Sequence, residues 1–120
     1  MSIASWAKFL QEVLRVESGT PTIVSTSAGR ETTSAITQMD ELDSYGLGWV
    51  VTSRVWANGK VLVHSGTNTV NSSVAWVAPA RNLAVLAVTN SFDGTEAERT
   101  WQALDALSAR LILFYGEIAD

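Results

Sequence analysis

Between Tyr45 and Ser91 the chain alternates β-branched and aromatic runs with short turn signals, a spacing that points to an antiparallel sheet. Leu47 to Trp56 reads as a strand closed by Ala57-Asn58-Gly59, a hairpin signal because Asn and Gly tolerate positive φ. Lys60 to Ser65 then runs back as a strand carrying His64 near its end. Asn71 to Ala78 and Leu83 to Thr89 read as two more strands, joined by Pro79-Ala80-Arg81-Asn82. Links this short cannot make the crossover that parallel strands require, so neighbours must pair antiparallel.

Helical periodicity brackets this block. Ile3, Trp6, Phe9, Leu10, Val13 and Leu14 recur at three- and four-residue steps, which predicts a helix over 3–17 capped by Ser2 and ended by Gly19 and Pro21. From Thr20 to Ser44 the chain is rich in Ser, Thr, Gly and Asp and reads as a long irregular connection, with a short helical turn at Ile36 to Leu42. Asp93-Gly94-Thr95 introduces a last helix with Trp101, Leu104, Leu107, Leu111 and Phe114 on one face and Gly116 at its end. The expectation is an α+β fold forming a single domain over 1–120. An antiparallel sheet of about four strands is flanked by N- and C-terminal helices, which cover one of its sides.

Composition removes several function classes. Charged residues make up 17% and the net charge is −4, with the lysines and arginines scattered singly. Neither a nucleic-acid face nor a polybasic membrane patch is present, so no nucleic acid and no membrane is expected as a partner. No apolar run approaches the roughly 18 residues of a membrane span. The N-terminus has no basic region leading into an apolar stretch and does not read as a secretory signal; the chain is cytoplasmic as expressed, and the compartment of a parent protein, the periplasm included, stays open. Cysteine is absent, which excludes disulfides and thiolate chemistry. His64 is the only histidine, so a His-Glu-x-x-His metal site is excluded too.

Three collinear segments carry a family resemblance. Tyr45-Gly46-Leu47-Gly48-Trp49 is followed by His64-Ser65-Gly66-Thr67-Asn68-Thr69. Then come Asn71-Ser72-Ser73, Pro79, and Leu83-Ala84-Val85-Leu86-Ala87-Val88-Thr89-Asn90-Ser91. Together they resemble the C-terminal part of the penicillin-recognising serine hydrolases, the superfamily of serine β-lactamases, DD-peptidases and class C-like esterases. The His-Ser-Gly segment looks like that family's third motif, Lys-Thr-Gly in many members and His-x-Gly in others. The opening helix resembles the helix that precedes the family's lid region, so the likeness covers nearly the whole chain but only the last third of a typical member.

The resemblance implies roles. In this family a serine attacks a carbonyl to form an acyl-enzyme, with a lysine one turn along in Ser-x-x-Lys managing its proton. The third motif lies on an edge strand facing the serine, and its backbone N–H supplies half of an oxyanion hole, worth about 3–4 kcal/mol of barrier in comparable sites. His64 would take the catalytic or carboxylate-contacting position. Ser65 points oppositely by strand alternation, Gly66 permits close approach of the substrate, the Thr67 N–H is the oxyanion donor, and Asn68 and Thr69 line the strand's outer end. No cofactor belongs to this machinery.

The nucleophile segment is missing. Ser5-Trp6-Ala7-Lys8 is the one arithmetical match to Ser-x-x-Lys, but it lies on a helix that aligns with a non-catalytic one, and Tyr-x-Asn occurs nowhere. Without the strands that complete members place beside the last strand, Leu83 to Thr89 becomes an apolar edge. A homo-oligomer, or a complex with a missing N-terminal part, would cover it. Three functions follow as alternatives. One is a partial serine hydrolase domain. The second is a stand-alone oligomeric hydrolase of esters or phosphoesters using His64 and a divalent metal (zinc or manganese), with Asp40, Glu41 and Asp43 as candidate ligands. The third is a binding module for β-lactam-like or peptide-like molecules.

Overall fold

The computed structural model describes residues 1–91 and 97–118. Its elements run α1 (Ile3–Ser18), α2 (Thr26–Thr32), β1 (Thr37–Gln38), β2 (Ser44–Tyr45), β3 (Val50–Arg54), β4 (Gly59–Thr67), β5 (Ser72–Ala78), β6 (Leu83–Thr89) and α3 (Ala97–Ile118). The strands form one antiparallel meander in the order β1-β2-β3-β4-β5-β6.

Local chemistry sets most boundaries. The Ser2 hydroxyl accepts the Ser5 N–H at 3.1 Å to start α1. Gly19, at φ 81°, closes it while the Thr20 N–H reaches the Arg15 carbonyl at 2.8 Å. Between β3 and β4, Asn58 adopts φ 55° after a single 3-10 turn, and Asn82 does the same at φ 48° between β5 and β6. Both hairpin links are therefore where the turn residues place them.

The sheet is covered on both faces, which corrects the expectation of one-sided cover. Val61 and Leu62 are adjacent and both 0% exposed, and strand alternation sends them to opposite faces. Leu62 joins Leu10 and Val13 of α1 with Trp49, Ala75 and Val77. On the other face Val74 and Ala87 pack with Leu104 and Trp101 of α3, and Val61 packs with Ala57 and Ala78. The result is a three-layer α/β/α arrangement around an antiparallel sheet.

Other expectations are also corrected. The sheet has six strands, because β1 and β2 add a short ladder pairing Thr37 with Tyr45 and Gln38 with Ser44. Ile36 to Leu42 is thus a strand and a turn, not a helical turn: the Asp40 carboxylate accepts the Leu42 and Asp43 N–H groups and reverses the chain. The Thr20–Ser44 connection contains α2, capped by Ser25. The strand expected over Leu47–Trp56 shortens to Val50–Arg54. Helix α3 continues through Gly116 to Ile118; the Asp93-Gly94-Thr95 introduction lies outside the described residues. On the helices Leu10, Val13 and Leu104 are buried as expected, but Ile3, Phe9, Leu107 and Phe114 are about half exposed or more.

One buried carboxylate ties α1 to the chain that follows it. Glu12 accepts the Thr22 hydroxyl at 2.8 Å and the Thr22 and Ile23 N–H groups, with Arg15 at 3.3 Å. Burial alone would raise its pKa, but these donors outweigh it and hold the carboxyl at about 2, against an ordinary 4.5. A depressed folded-state pKa contributes stability above the unfolded value and loses it as pH falls through the folded one. Glu12→Gln should therefore lower Tm by a constant amount above pH 5, and the gap from wild type should close between pH 4.5 and 2 in a thermal-melt series.

Candidate active-site edge

Strand β4 has two different halves. Its first half pairs with β3 on one side, from Gly59 opposite Arg54 to Val63 opposite Val50. Its second half, His64 to Thr67, pairs with β5, opposite Ala75, Val74, Ser73 and Ser72, and with no other strand among the described residues. The change falls where β2 and β3 form their hairpin. Gly46 to Trp49 is the turn, closed by the Gly46 N–H on the Trp49 carbonyl at 2.8 Å, so the chain reverses level with His64 and, among the described residues, no strand continues beside Ser65 to Thr67.

The two glycines of that turn have separate reasons. A Cβ on Gly46 would lie 2.2 Å from the Ser34 carbonyl oxygen, and Gly48 holds φ 90°. Trp49 leaves the turn buried in the α1-side core, and its ring meets His64 edge-on, with centroids 6.3 Å apart and planes at 80°. Trp49 was not a site candidate from sequence. Cross-strand register was the available signal, since Val50 opposite Val63 puts Trp49 opposite His64.

His64, Ser65, Gly66 and Thr67 are all exposed. Alternation places His64 and Gly66 on the α1 face with Leu62, and Ser65 and Thr67 on the α3 face with Val63. The backbone directions follow from the hairpin end. The Asn68 N–H bonds the Asn71 carbonyl at 3.1 Å, so Asn68, Gly66 and His64 direct their peptide groups to β5. Ser65 and Thr67 then direct theirs to the open side. A Cβ on Gly66 would meet nothing within 4 Å, so no neighbour among the described residues requires glycine there.

The outer end of the strand is knitted by its own side chains. Asn68 Oδ1 accepts the Asn71 N–H at 2.7 Å and the Val70 N–H at 3.2 Å, while the Thr67 hydroxyl donates to the Asn71 carbonyl at 2.9 Å and accepts the Thr69 N–H. Thr69 itself holds φ 72°. The Thr67 and Asn68 side chains thus shape the loop that ends the open edge.

The remaining candidates are elsewhere. Ser5 and Lys8 are exposed on the first turns of α1, and the Ser5 hydroxyl bonds that of Ser2 at 3.0 Å; no hydrogen bond joins it to Lys8 among the described residues. Asp40 caps its turn, and its two N–H donors from Leu42 and Asp43, with Arg54 nearby, lower its pKa. Asp43 faces Arg54 at 3.8 Å, and Glu41 is exposed. Among the described residues no group of three or more His, Asp or Glu side chains is placed to hold a metal ion. None of the described helices is long and apolar enough to cross a membrane. Clefts among the described residues lie along β6, beneath α3 and beside Glu17 and Lys60, and His64 lines none of these five.

A family model described as Beta-lactamase matches residues 1–110. The chain belongs to the β-lactamase family. Comparison with curated proteins and with solved structures returns no match. In this β-lactamase-like domain, the match extends over every strand and most of α3, so the open half of β4 lies within it.

Three glycine variants separate the turn from the edge. Gly48→Ala should cost about 1–2 kcal/mol in urea denaturation, the penalty of a left-handed alanine. Gly46→Ala should cost more, because the Ser34 carbonyl has to move. Gly66→Ala should change stability by less than about 0.5 kcal/mol.

Proposed function

We propose that this chain supplies one wall of a serine acyl-transfer cleft, with His64 to Thr67 as the strand that receives an ester, amide or β-lactam carbonyl. The carrying observation is the open side of β4 beyond Val63, toward which Ser65 and Thr67 direct their N–H groups. An unpaired N–H at a fixed position on a rigid strand is the kind of donor that stabilises developing negative charge on a carbonyl oxygen without reorganising. The Thr67 N–H takes that role, in keeping with the His-Ser-Gly-Thr segment.

The other residues serve the same geometry. Gly66 leaves room for the substrate to lie against the strand, since the space over its Cα is open. His64 stands on that face beside Gly66, its ring set by the edge-on contact with Trp49, within reach of a substrate carboxylate or of a proton at the reacting centre. Neither Ser5 nor any other serine here stands one helical turn before a lysine it contacts. The attacking serine belongs to a segment other than this one. No observation favours the metal-dependent reading, whose acidic candidates hold a turn and an ion pair.

Two measurements on the isolated chain test this. Intact mass after incubation with benzylpenicillin or a fluorophosphonate should show no adduct. A titration with benzylpenicillin followed by ¹⁵N–¹H spectra should move the amides of His64, Ser65 and Thr67, and Gly66→Val should abolish those shifts. A covalent adduct lost in Ser5→Ala would place the nucleophile on α1 and overturn the reading. Shifts confined to other parts of the molecule would do the same.

A further inference from the structure

Strand β4 passes into β5 through Asn68, Thr69, Val70 and Asn71, and all four are exposed. An exposed link can leave its N–H groups to water, yet here each finds a protein acceptor. The Asn68 N–H bonds the Asn71 carbonyl at 3.1 Å. The Thr69 N–H bonds the Thr67 hydroxyl at 3.1 Å, and the Val70 and Asn71 N–H groups bond Asn68 Oδ1 at 3.2 and 2.7 Å. Three of these four bonds end on side-chain oxygens.

Asn68 stands in for part of the sheet ladder. In a regular antiparallel pair that exchanges both bonds, the Asn71 N–H would return to the Asn68 main-chain carbonyl. It goes to the Asn68 side chain, and the main-chain carbonyl accepts the Thr69 hydroxyl. The Asn71 carbonyl is fixed from two sides as well, by the Asn68 N–H and by the Thr67 hydroxyl at 2.9 Å. Asn71 Nδ2 lies 3.4 Å from the same Oδ1, so every group facing this oxygen is a donor and the amide must present its carbonyl. Asn68 Nδ2 makes no hydrogen bond among the described residues.

The backbone of the link shows how firmly these bonds hold it. Thr69 is β-branched and sits at φ 72°, a left-handed conformation that such residues rarely take. A conformation of this kind persists only where its surroundings over-determine it.

On the acyl-transfer reading of β4, we infer that Asn68 is a positioning residue whose side-chain carbonyl, and not its amide N–H groups, serves the site. It does not touch the ester, amide or β-lactam. By fixing Asn71 opposite itself it locks the last pair of the hairpin, and that lock sets which way the preceding peptide groups turn. With Asn68 directed to β5, Thr67 is directed to the open side. The Thr67 hydroxyl is engaged in the same link, which leaves the N–H as the donor that Thr67 offers a ligand.

The test compares Asn68→Ala with Asn68→Asp in the whole chain at neutral pH. Aspartate keeps an acceptor oxygen in place and removes only the unused donors. Hydrogen exchange of the Val70 and Asn71 amides should quicken roughly tenfold in Asn68→Ala, the loss of a modest hydrogen bond, and should keep the wild-type rate in Asn68→Asp. The ligand probe is a neutral ester, ethyl phenylacetate, which carries no charge for the new carboxylate to repel. In ¹⁵N–¹H spectra it should shift the Thr67 amide of wild type and of Asn68→Asp, and leave that of Asn68→Ala unmoved. All three should share one far-UV spectrum. Thr67→Val removes the hydroxyl and keeps the N–H; it should quicken exchange at Thr69 and reduce the ester-induced shift.

An Asn68→Asp variant that behaves like Asn68→Ala would make the amide donors the working groups and overturn the assignment. So would a Thr67 response that survives in Asn68→Ala, or exchange at Val70 and Asn71 that the alanine leaves unchanged. A wild-type Thr67 amide indifferent to the ester would sink the acyl-transfer reading instead, and the Val70 and Asn71 exchange rates would still decide whether Asn68 holds the link.

Discussion

The structure depends on a single strand being interior for half its length and an edge for the other half. In its first half β4 carries Val61 and Leu62, buried on opposite faces, and it holds the α1 and α3 layers to one sheet. In its second half it has β5 on one side and, among the described residues, no strand on the other. The transition is set by the β2–β3 turn, where Gly46 fits under the Ser34 carbonyl and Gly48 takes a positive φ. Two glycines in one turn thereby decide where another strand is left without a neighbour. The Trp49 ring, emerging from the same turn, links the core under α1 to the His64 imidazole.

Much of this was legible in the sequence where turn chemistry and periodicity agree. Asn58-Gly59 and Pro79 to Asn82 marked the hairpin links, Ser2 and Gly19 marked the ends of α1, and the three motif segments pointed to a family that the match over 1–110 bears out. What escaped was structure whose cause is tertiary. β1 and β2 are two-residue strands, held because Asp40 turns the chain and β3 offers an edge, and no two-residue pattern announces that. The extra cover on the second face was hidden because Val61, Leu62 and Val63 form a continuous apolar run, which suits a strand buried on both sides as well as a short helix. The seven-residue α2 rests on its Ser25 cap and its packing against α1, since a helix that short has little stability of its own.

The candidate site divides along the same line. His64, Gly66 and the open backbone at Ser65 and Thr67 were reachable through the motif, because a motif encodes where a strand must be exposed. The uses of Thr67 and Asn68 in closing their own loop were not, since they arise from hydrogen bonds within the turn. The acidic residues Asp40, Glu41 and Asp43 looked like a cluster only in one dimension. In the fold two of them answer to backbone donors and to Arg54. The α1 residues Ser5 and Lys8 likewise share a spacing without sharing a hydrogen bond.

The sheet is therefore a meander with two borders of opposite character. The β4 border is short, polar in its backbone and lined by a lone imidazole, while the β6 border is uncharged and flanked by apolar helix surface. The account rests most directly on the alternation of peptide groups in the second half of β4. Residue-resolved hydrogen exchange on the unliganded chain measures it: Ser65 and Thr67 amides should exchange fast, with His64 and Gly66 between them slower because they bond to β5. Equal protection across all four would mean that something covers that edge, and would contradict the account.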